Sequence, residues 1–289
     1  MKITDIFKNT DRTVFSFEIF PPKKTSPLES ITGTLFELCA IKPDFISVTY
    51  GAGGAMLGNN YTRMLASKIK NEYKIESMAH LTCVYSSKEY VDSELLALKK
   101  EGIENILTLR GDINPEIERL NDFTYASDMA RYISQKDSYF DLCGACYPEK
   151  HLEAKNLAED VKHLKLKVDS GVSHLVSQLF FDNSVFYRFL EMADAAGVNV
   201  PVEAGIMPCT NKKSIERMVK MCGATLPDKF VKVMEKYEDK PEALRDAGIA
   251  YAIDQIVDLL SHGVDGIHLY TMNNPYIARR INEAIRTML

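Results

Sequence analysis

Glu18 lies in the run Phe15-Ser16-Phe17-Glu18-Ile19-Phe20, which is ended by Pro21-Pro22. A carboxyl group set among aromatics is partly desolvated, which raises its pKa and suits it to work as a general acid near neutral pH. A salt bridge at the rim of the fold accounts for the same residue equally well. Arg110-Gly111-Asp112 offers a second kind of chemistry. The planar fork of an arginine matches a pyrophosphate through charge-assisted bonds, and the glycine lets a ligand approach the backbone. Strand-to-helix turns often hold such residues for no chemical reason. A third group, Asp160, His163 and Lys167, is spaced i, i+3, i+7 and therefore shares one helix face. That face either grips the polar parts of a cofactor or is a solvated charged stripe.

The elements that must position these residues alternate in type. Strand-like runs fall at 13–19, 44–49, 77–82, 105–109, 141–146, 174–179, 200–205 and 266–270. Amphipathic helical stretches fall at 27–39, 61–72, 88–101, 123–135, 152–169, 184–196, 214–221, 227–260 with a break near Lys240-Pro241, and 275–289. Strands alternating with helices, without a long linker, predict a parallel sheet. Eight such units in 289 residues fit a closed (β/α)8 barrel of the α/β class, one domain over 1–289, with an open doubly wound sheet as the alternative. Barrel chemistry gathers at the C-terminal ends of strands. Those ends carry Glu18, Thr49 with Tyr50, His80, Arg110 with Asp112, Tyr147 with His151, Gln178, Met207 and Tyr270. Any one of them is explained as a solvated strand end, whereas the set together points to a site.

Composition narrows the function classes. With 46% hydrophobic and 26% charged residues the chain reads as globular. The net charge of −5 comes from mixed signs with no basic block, which argues against nucleic-acid binding. Charges interrupt the first residues, so no secretory signal is expected. No apolar run is long enough to span a bilayer, and a cytoplasmic location is expected. The six cysteines do not form the pattern of a disulfide framework. Cys143-Gly144-Ala145-Cys146 has no second pair at zinc-ribbon spacing. It falls within a strand, where i and i+3 point to opposite faces, so two buried thiols are expected there and no metal site. The stretch from Gly51 through Gly54 to Met56 lacks the third glycine of a dinucleotide fingerprint, and Asn59-Asn60 stand where a phosphate loop needs Lys-Ser/Thr.

An ordered series of motifs then spans nearly the whole chain: FSFEIFPP at 15–22, SVTYGA at 47–52, HLTC at 80–83, LRGD at 109–112, YPEKH at 147–151, KVDSG at 167–171, QLFFD at 178–182, GIMP at 205–208 and HLYTMN at 268–273. The series resembles that of the methylenetetrahydrofolate reductases, in their short bacterial form. The resemblance implies a barrel that holds FAD without a dinucleotide fingerprint. It also implies a ping-pong reaction, in which NADH or NADPH reduces the flavin and leaves, and methylenetetrahydrofolate then takes the hydride at the same ring face to become methyltetrahydrofolate. By the same resemblance Glu18 is the acid that opens the folate ring. Asp112 is the aspartate near flavin and pterin, and Gln178 a glutamine at the shared substrate and nicotinamide face. Thr49, Tyr50, Ala52, His80, Arg110, Gly111, Asp112, Tyr125, Ala126, Tyr147, His151, Asp160, His163 and Lys167 match flavin-contacting positions.

The sequence also departs from that pattern. Asn274 replaces an arginine that touches folate in many members, Met218 an aromatic that stacks on ligands, and Ser214 a folate-contacting glutamine. Thr49 and Ser214 remain expected folate contacts beside Gln178 and Asp112. A homo-oligomer is expected. Two other functions fit the same sequence: a reductase fed by a partner electron-transfer subunit, and a non-redox pterin-binding barrel.

Overall fold

The computed structural model describes residues 1–22, 26–50 and 61–289. Its strands are β1 (Val14–Ile19), β2 (Phe45–Val48), β3 (Glu76–Thr82), β4 (Asn105–Leu109), β5 (Asp141–Cys146), β6 (His174–Ser177), β7 (Val202–Ile206) and β8 (Gly266–Tyr270). Each pairs in parallel with the next, and β1 pairs with β8, so the sheet closes into the expected barrel. The pairing of Glu18 with both Ser47 and Tyr270 sets the register at the upper end of this seam.

Period-two alternation then sorts the side chains. Phe15, Phe17 and Ile19 point outward and pack beneath the surrounding helices together with Leu35, Leu38, Ile277 and Ile281. Val14, Phe45, Met78, Leu107, Cys143 and Val176 form a second, inner cluster at the lower end of the lumen. Around the barrel run α2 (Thr32–Ala40), α3 (Tyr61–Asn71), α4 (Lys88–Lys100), α5 (Ala126–Lys136), α6 (Leu157–Asp169), α7 (Asn183–Ala195), α8 (Lys212–Cys222), α9 (Asp228–Tyr237), α10 (Pro241–Ser261) and α11 (Pro275–Ile285). The break expected at Lys240-Pro241 falls between α9 and α10, because Pro241 can open a helix but not continue one.

Three features differ from the sequence reading. The stretch 152–156 is not helical: Asn156 caps α6 by accepting from the Glu159 backbone N–H at 2.9 Å, so the helix starts at Leu157. The turn before α2 is a 3-10 helix, Leu28–Ile31. The third is α1 (Ile3–Asn9), a short helix that stoppers the lower end of the barrel. Its first N–H groups have no partner within so short a helix. They are taken instead by strand side chains, Ile3 N–H by Asn105 Oδ1 at 2.9 Å and Thr4 N–H by Asp141 Oδ2 at 2.8 Å.

Inside the barrel, directly behind the stopper, lies His174, fully buried, its ring 5.8 Å from that of Phe7, with no hydrogen-bond partner at either nitrogen among the described residues. Burial pulls its pKa down to about 4 against the attraction of Asp141. The native imidazole therefore stays neutral through the window from about 6.5 to 4 while the unfolded one gains a proton, so stability falls as pH is lowered through it. His174→Leu should remove this contribution. Chemical denaturation from pH 7 to 4.5 should show the wild type losing up to roughly 3 kcal/mol more than the variant. The comparison isolates His174 from Glu203, whose raised pKa works with the opposite sign over the same range. Parallel losses in the two proteins would refute it.

Candidate functional site

The upper end of the barrel, where the strands finish, carries two neighbouring groups of residues. The first lines a cleft of about 430 Å³ between the ends of β4 and β5 and the helices α5 and α6. Arg110, Tyr125, Ala126, Tyr147, His151, Asp160, His163 and Lys167 all line it. Local structure explains why they converge. Asp128 accepts from the Tyr125 N–H at 2.8 Å and starts α5 at that point, so Tyr125 and Ala126 sit at its opening turn. Asp160 accepts from the His151 N–H at 2.7 Å, which folds the loop after β5 back over the start of α6. Tyr147 meets the His151 ring edge to face at 4.9 Å. The Lys167 ammonium donates to the Ala145 carbonyl, and burial lowers its pKa. Arg110 spans the cleft to Glu153 in a two-pronged ion pair of 2.6 and 2.8 Å. Gly111, next to it, holds φ +88°, a conformation that an L side chain resists.

The second group lies in the lumen. Glu18 points inward, its side chain 22% exposed, with His80 Nε2 at 3.7 Å and His268 Nε2 at 3.8 Å from its Oε2. The sequence reading surrounded this carboxyl with phenyl rings. Alternation along β1 sends those rings to the other face, so its partners are imidazoles instead. Burial holds His80 at a pKa of about 4, and its Nε2 has no hydrogen bond among the described residues. Gln178 is half-buried at the end of β6, its side-chain carbonyl accepting from the Leu179 N–H at 2.9 Å.

The remaining expected residues lie apart from these groups or play visible structural parts. Thr49 bonds to the ends of β1 and α3, its N–H donating to the Ile19 carbonyl at 2.9 Å and its own carbonyl accepting from the Thr62 hydroxyl at 2.9 Å. The Tyr50 hydroxyl shares a 2.7 Å hydrogen bond with that of Tyr90. Asp112 is exposed beyond β4, and Ser214 is exposed in the first turn of α8. Met218 packs against the apolar cluster of Phe181 and Phe230, and Asn274 caps α11. Ala52, and with it the glycine run 51–54, lies outside the described residues. Missed by the sequence reading were Ser16, Glu203 and His268 as a polar set inside the lumen. The signal was present in the alternation Ser16, Glu18 along β1 and in an acidic residue within the apolar run before Gly205.

The model of the family described as methylenetetrahydrofolate reductase matches residues 2–286. The chain belongs to this family. An Arabidopsis thaliana protein named methylenetetrahydrofolate reductase (NADH) 1 is 35% identical over 94% of the chain, which covers 49% of that protein. The 5,10-methylenetetrahydrofolate reductase of Escherichia coli (strain K12) is 31% identical over 89% of the chain and 86% of its own length. The chain thus spans about half the length of the plant reductase but most of the bacterial one. Among solved structures, a Clostridium thermocellum protein described as binding two copies of 5-methyl-5,6,7,8-tetrahydrofolic acid superposes with a TM-score of 0.70 at 14% identity, covering 98% of each chain, and shares the fold.

The thiols of this family member are protected by the same alternation. Cys143 packs in the lumen and Cys146 beneath the helices. Burial raises Cys39, Cys83 and Cys146 to about 12 and lifts Cys143 further. Cys209 and Cys222 are both raised to about 11, so access rather than thiolate fraction sets Cys222 apart: a thiol reagent at pH 8 should modify only the half-buried Cys222, slowly, in the native protein, and the buried thiols after unfolding. Mass spectrometry of the labelled protein checks this, and rapid native labelling of Cys143 or Cys146 would contradict it.

Proposed function

We propose that this chain reduces 5,10-methylenetetrahydrofolate to 5-methyltetrahydrofolate as an FAD-dependent enzyme using NADH or NADPH, with residues 1–289 acting as one catalytic unit. The observation that carries the reading is the placement of Glu18, an inward carboxyl flanked by two imidazoles at the mouth of a barrel, beside a cleft that collects Arg110, Tyr147, His151, Asp160, His163 and Lys167.

The cleft's donor set fits a dinucleotide flavin. Arg110 carries a fork suited to a pyrophosphate once the exposed Glu153 that now holds it gives way, Lys167 is a second cation, Asp160 an acceptor for ribose or ribityl hydroxyls, and Tyr125 and Tyr147 offer apolar faces. When bound, FAD supplies the two-electron carriage between nicotinamide and folate. The chain's own residues supply placement and proton handling. Glu18 holds the proton that opening of the folate ring requires at the bridging nitrogen. His80, kept neutral by burial, stands 3.7 Å from that carboxyl and adds no positive charge beside it at neutral pH. Asp112 and Gln178, with Thr49 and Ser214, are the proposed folate contacts, while Thr49, Tyr50, Ala52, Gly111 and Ala126 complete the flavin side.

Two experiments test this reading. Anaerobic addition of NADH to FAD-reconstituted protein should bleach the flavin band, and methylenetetrahydrofolate should restore it. A band that NADH and NADPH both leave oxidised would point to a partner electron-transfer subunit, and a protein that binds folate but no flavin to a non-redox barrel. Glu18→Gln should slow reoxidation by methylenetetrahydrofolate by about 10²-fold or more and leave reduction by NADH within about twofold. Equal effects on the two half-reactions would remove Glu18 from its role.

A further inference from the structure

The lumen below Glu18 holds a second carboxyl group that the reaction as described does not use. Glu203, on β7, is fully buried. Its Oε1 lies 2.6 Å from Ser16 Oγ, and Ser16 Oγ lies 2.6 Å from His268 Nδ1. The other nitrogen of the same imidazole, Nε2, lies 3.4 Å from Ser47 Oγ and 3.8 Å from Glu18 Oε2, a gap to the carboxylate that a small side-chain shift closes. Room for the buried acid comes from β8. Gly266 is paired with Glu203, and a Cβ on Gly266 would stand 2.7 Å from Glu203 Cγ. Glu203 Oε2 has no hydrogen bond among the described residues.

We propose that Glu203, Ser16 and His268 form a proton relay that recharges Glu18 from inside the barrel while the bound ligands cover its mouth. This rests on the reading of Glu18 as the acid of the folate reaction. In the charged relay the Glu203 O–H donates to Ser16 Oγ, the Ser16 O–H donates to His268 Nδ1, and the His268 Nε2–H faces Glu18. Discharge moves one proton along each link. Glu203 loses a proton, Ser16 passes one on, His268 changes tautomer, and Glu18 gains one, so the negative charge moves from Glu18 to Glu203. The surroundings favour an acid that holds its proton near neutrality. Burial raises Glu203 to about 7, Asp44 and Asp265 add to that, and Ser16 and His268 oppose it. His268 in turn faces Ser47, His80 and His174, and Glu18 faces His80 and Tyr270. Glu203 and His268 act through Glu18 and are positioning residues.

The direct readout is the tautomer of His268, followed by nitrogen NMR of histidine-labelled protein without flavin or folate. As pH rises through about 7, Glu203 ionises, Ser16 turns its O–H to the carboxylate, and His268 should switch from the Nε2–H to the Nδ1–H form. Glu203→Gln and Ser16→Ala should each abolish the switch. A tautomer that stays fixed in the wild type, or that switches equally in Glu203→Gln, overturns the proposal. In the folate half-reaction Glu203→Gln should lose the ionisation near 7 from its pH profile and slow at least about tenfold below it, where the wild-type Glu203 carries the proton it passes on. A profile of unchanged shape overturns it as well. If the wild type turns over no folate, the reading of Glu18 fails, while the NMR result still decides whether the relay exists.

Discussion

The hydrogen bonds between β1 and β8 close the sheet, and closure drives every second residue of each strand into a lumen where water is scarce. Whatever points inward must be packed against apolar neighbours or paired with other polar groups, since an unpaired polar group in such a place is costly. The lower lumen meets this constraint with Val14, Phe45, Met78, Leu107 and Val176, except at His174, whose ring nitrogens have no partner among the described residues. The middle and upper lumen meet it with Ser16, Ser47, Glu203, His268, His80 and Glu18, which have mainly one another as partners. A set of titratable groups that must satisfy one another at close range is sensitive to a single proton.

The cleft is governed by a different requirement, that loops end where helices begin. Asn156 starts α6 one turn later than hydrophobic periodicity alone suggests, and the freed stretch 152–155 crosses the upper end of β5. Asp160 holds that stretch through the His151 backbone, and Glu153 within it reaches Arg110. The one-face spacing of Asp160, His163 and Lys167 therefore has two consequences. It presents polar groups to the cleft, and through Asp160 and Lys167 it ties α6 to the end of β5.

Much of this was legible in the sequence, for physical reasons that differ by element. The strand–helix alternation is strong because parallel strands buried on both sides are nearly continuous apolar runs, and Gly102, Gly171 and Gly197 mark where helices stop. Most of the cleft was legible through the motif series, since the residues that line it sit at strand ends and in one helical stripe. Two things were hidden. The helix α1 is too short to show a period, and the strand side chains that satisfy its start are distant in the chain. The surroundings of Glu18 were misjudged because neighbours in sequence along a strand lie on opposite faces, while its true partners come from β3 and β8. Only the closed register brings Glu203 on β7 to Ser16 on β1, across the intervening β8.

The stopper formed by α1 has a consequence for traffic. A lumen sealed beneath by Ile3, Ile6 and Phe7 is a vessel with its mouth at the upper rim. What reaches the groups around Glu18 from above must leave the way it came. In the reaction proposed above both reactants use this one mouth, and taking turns at it is the order that proposal calls for.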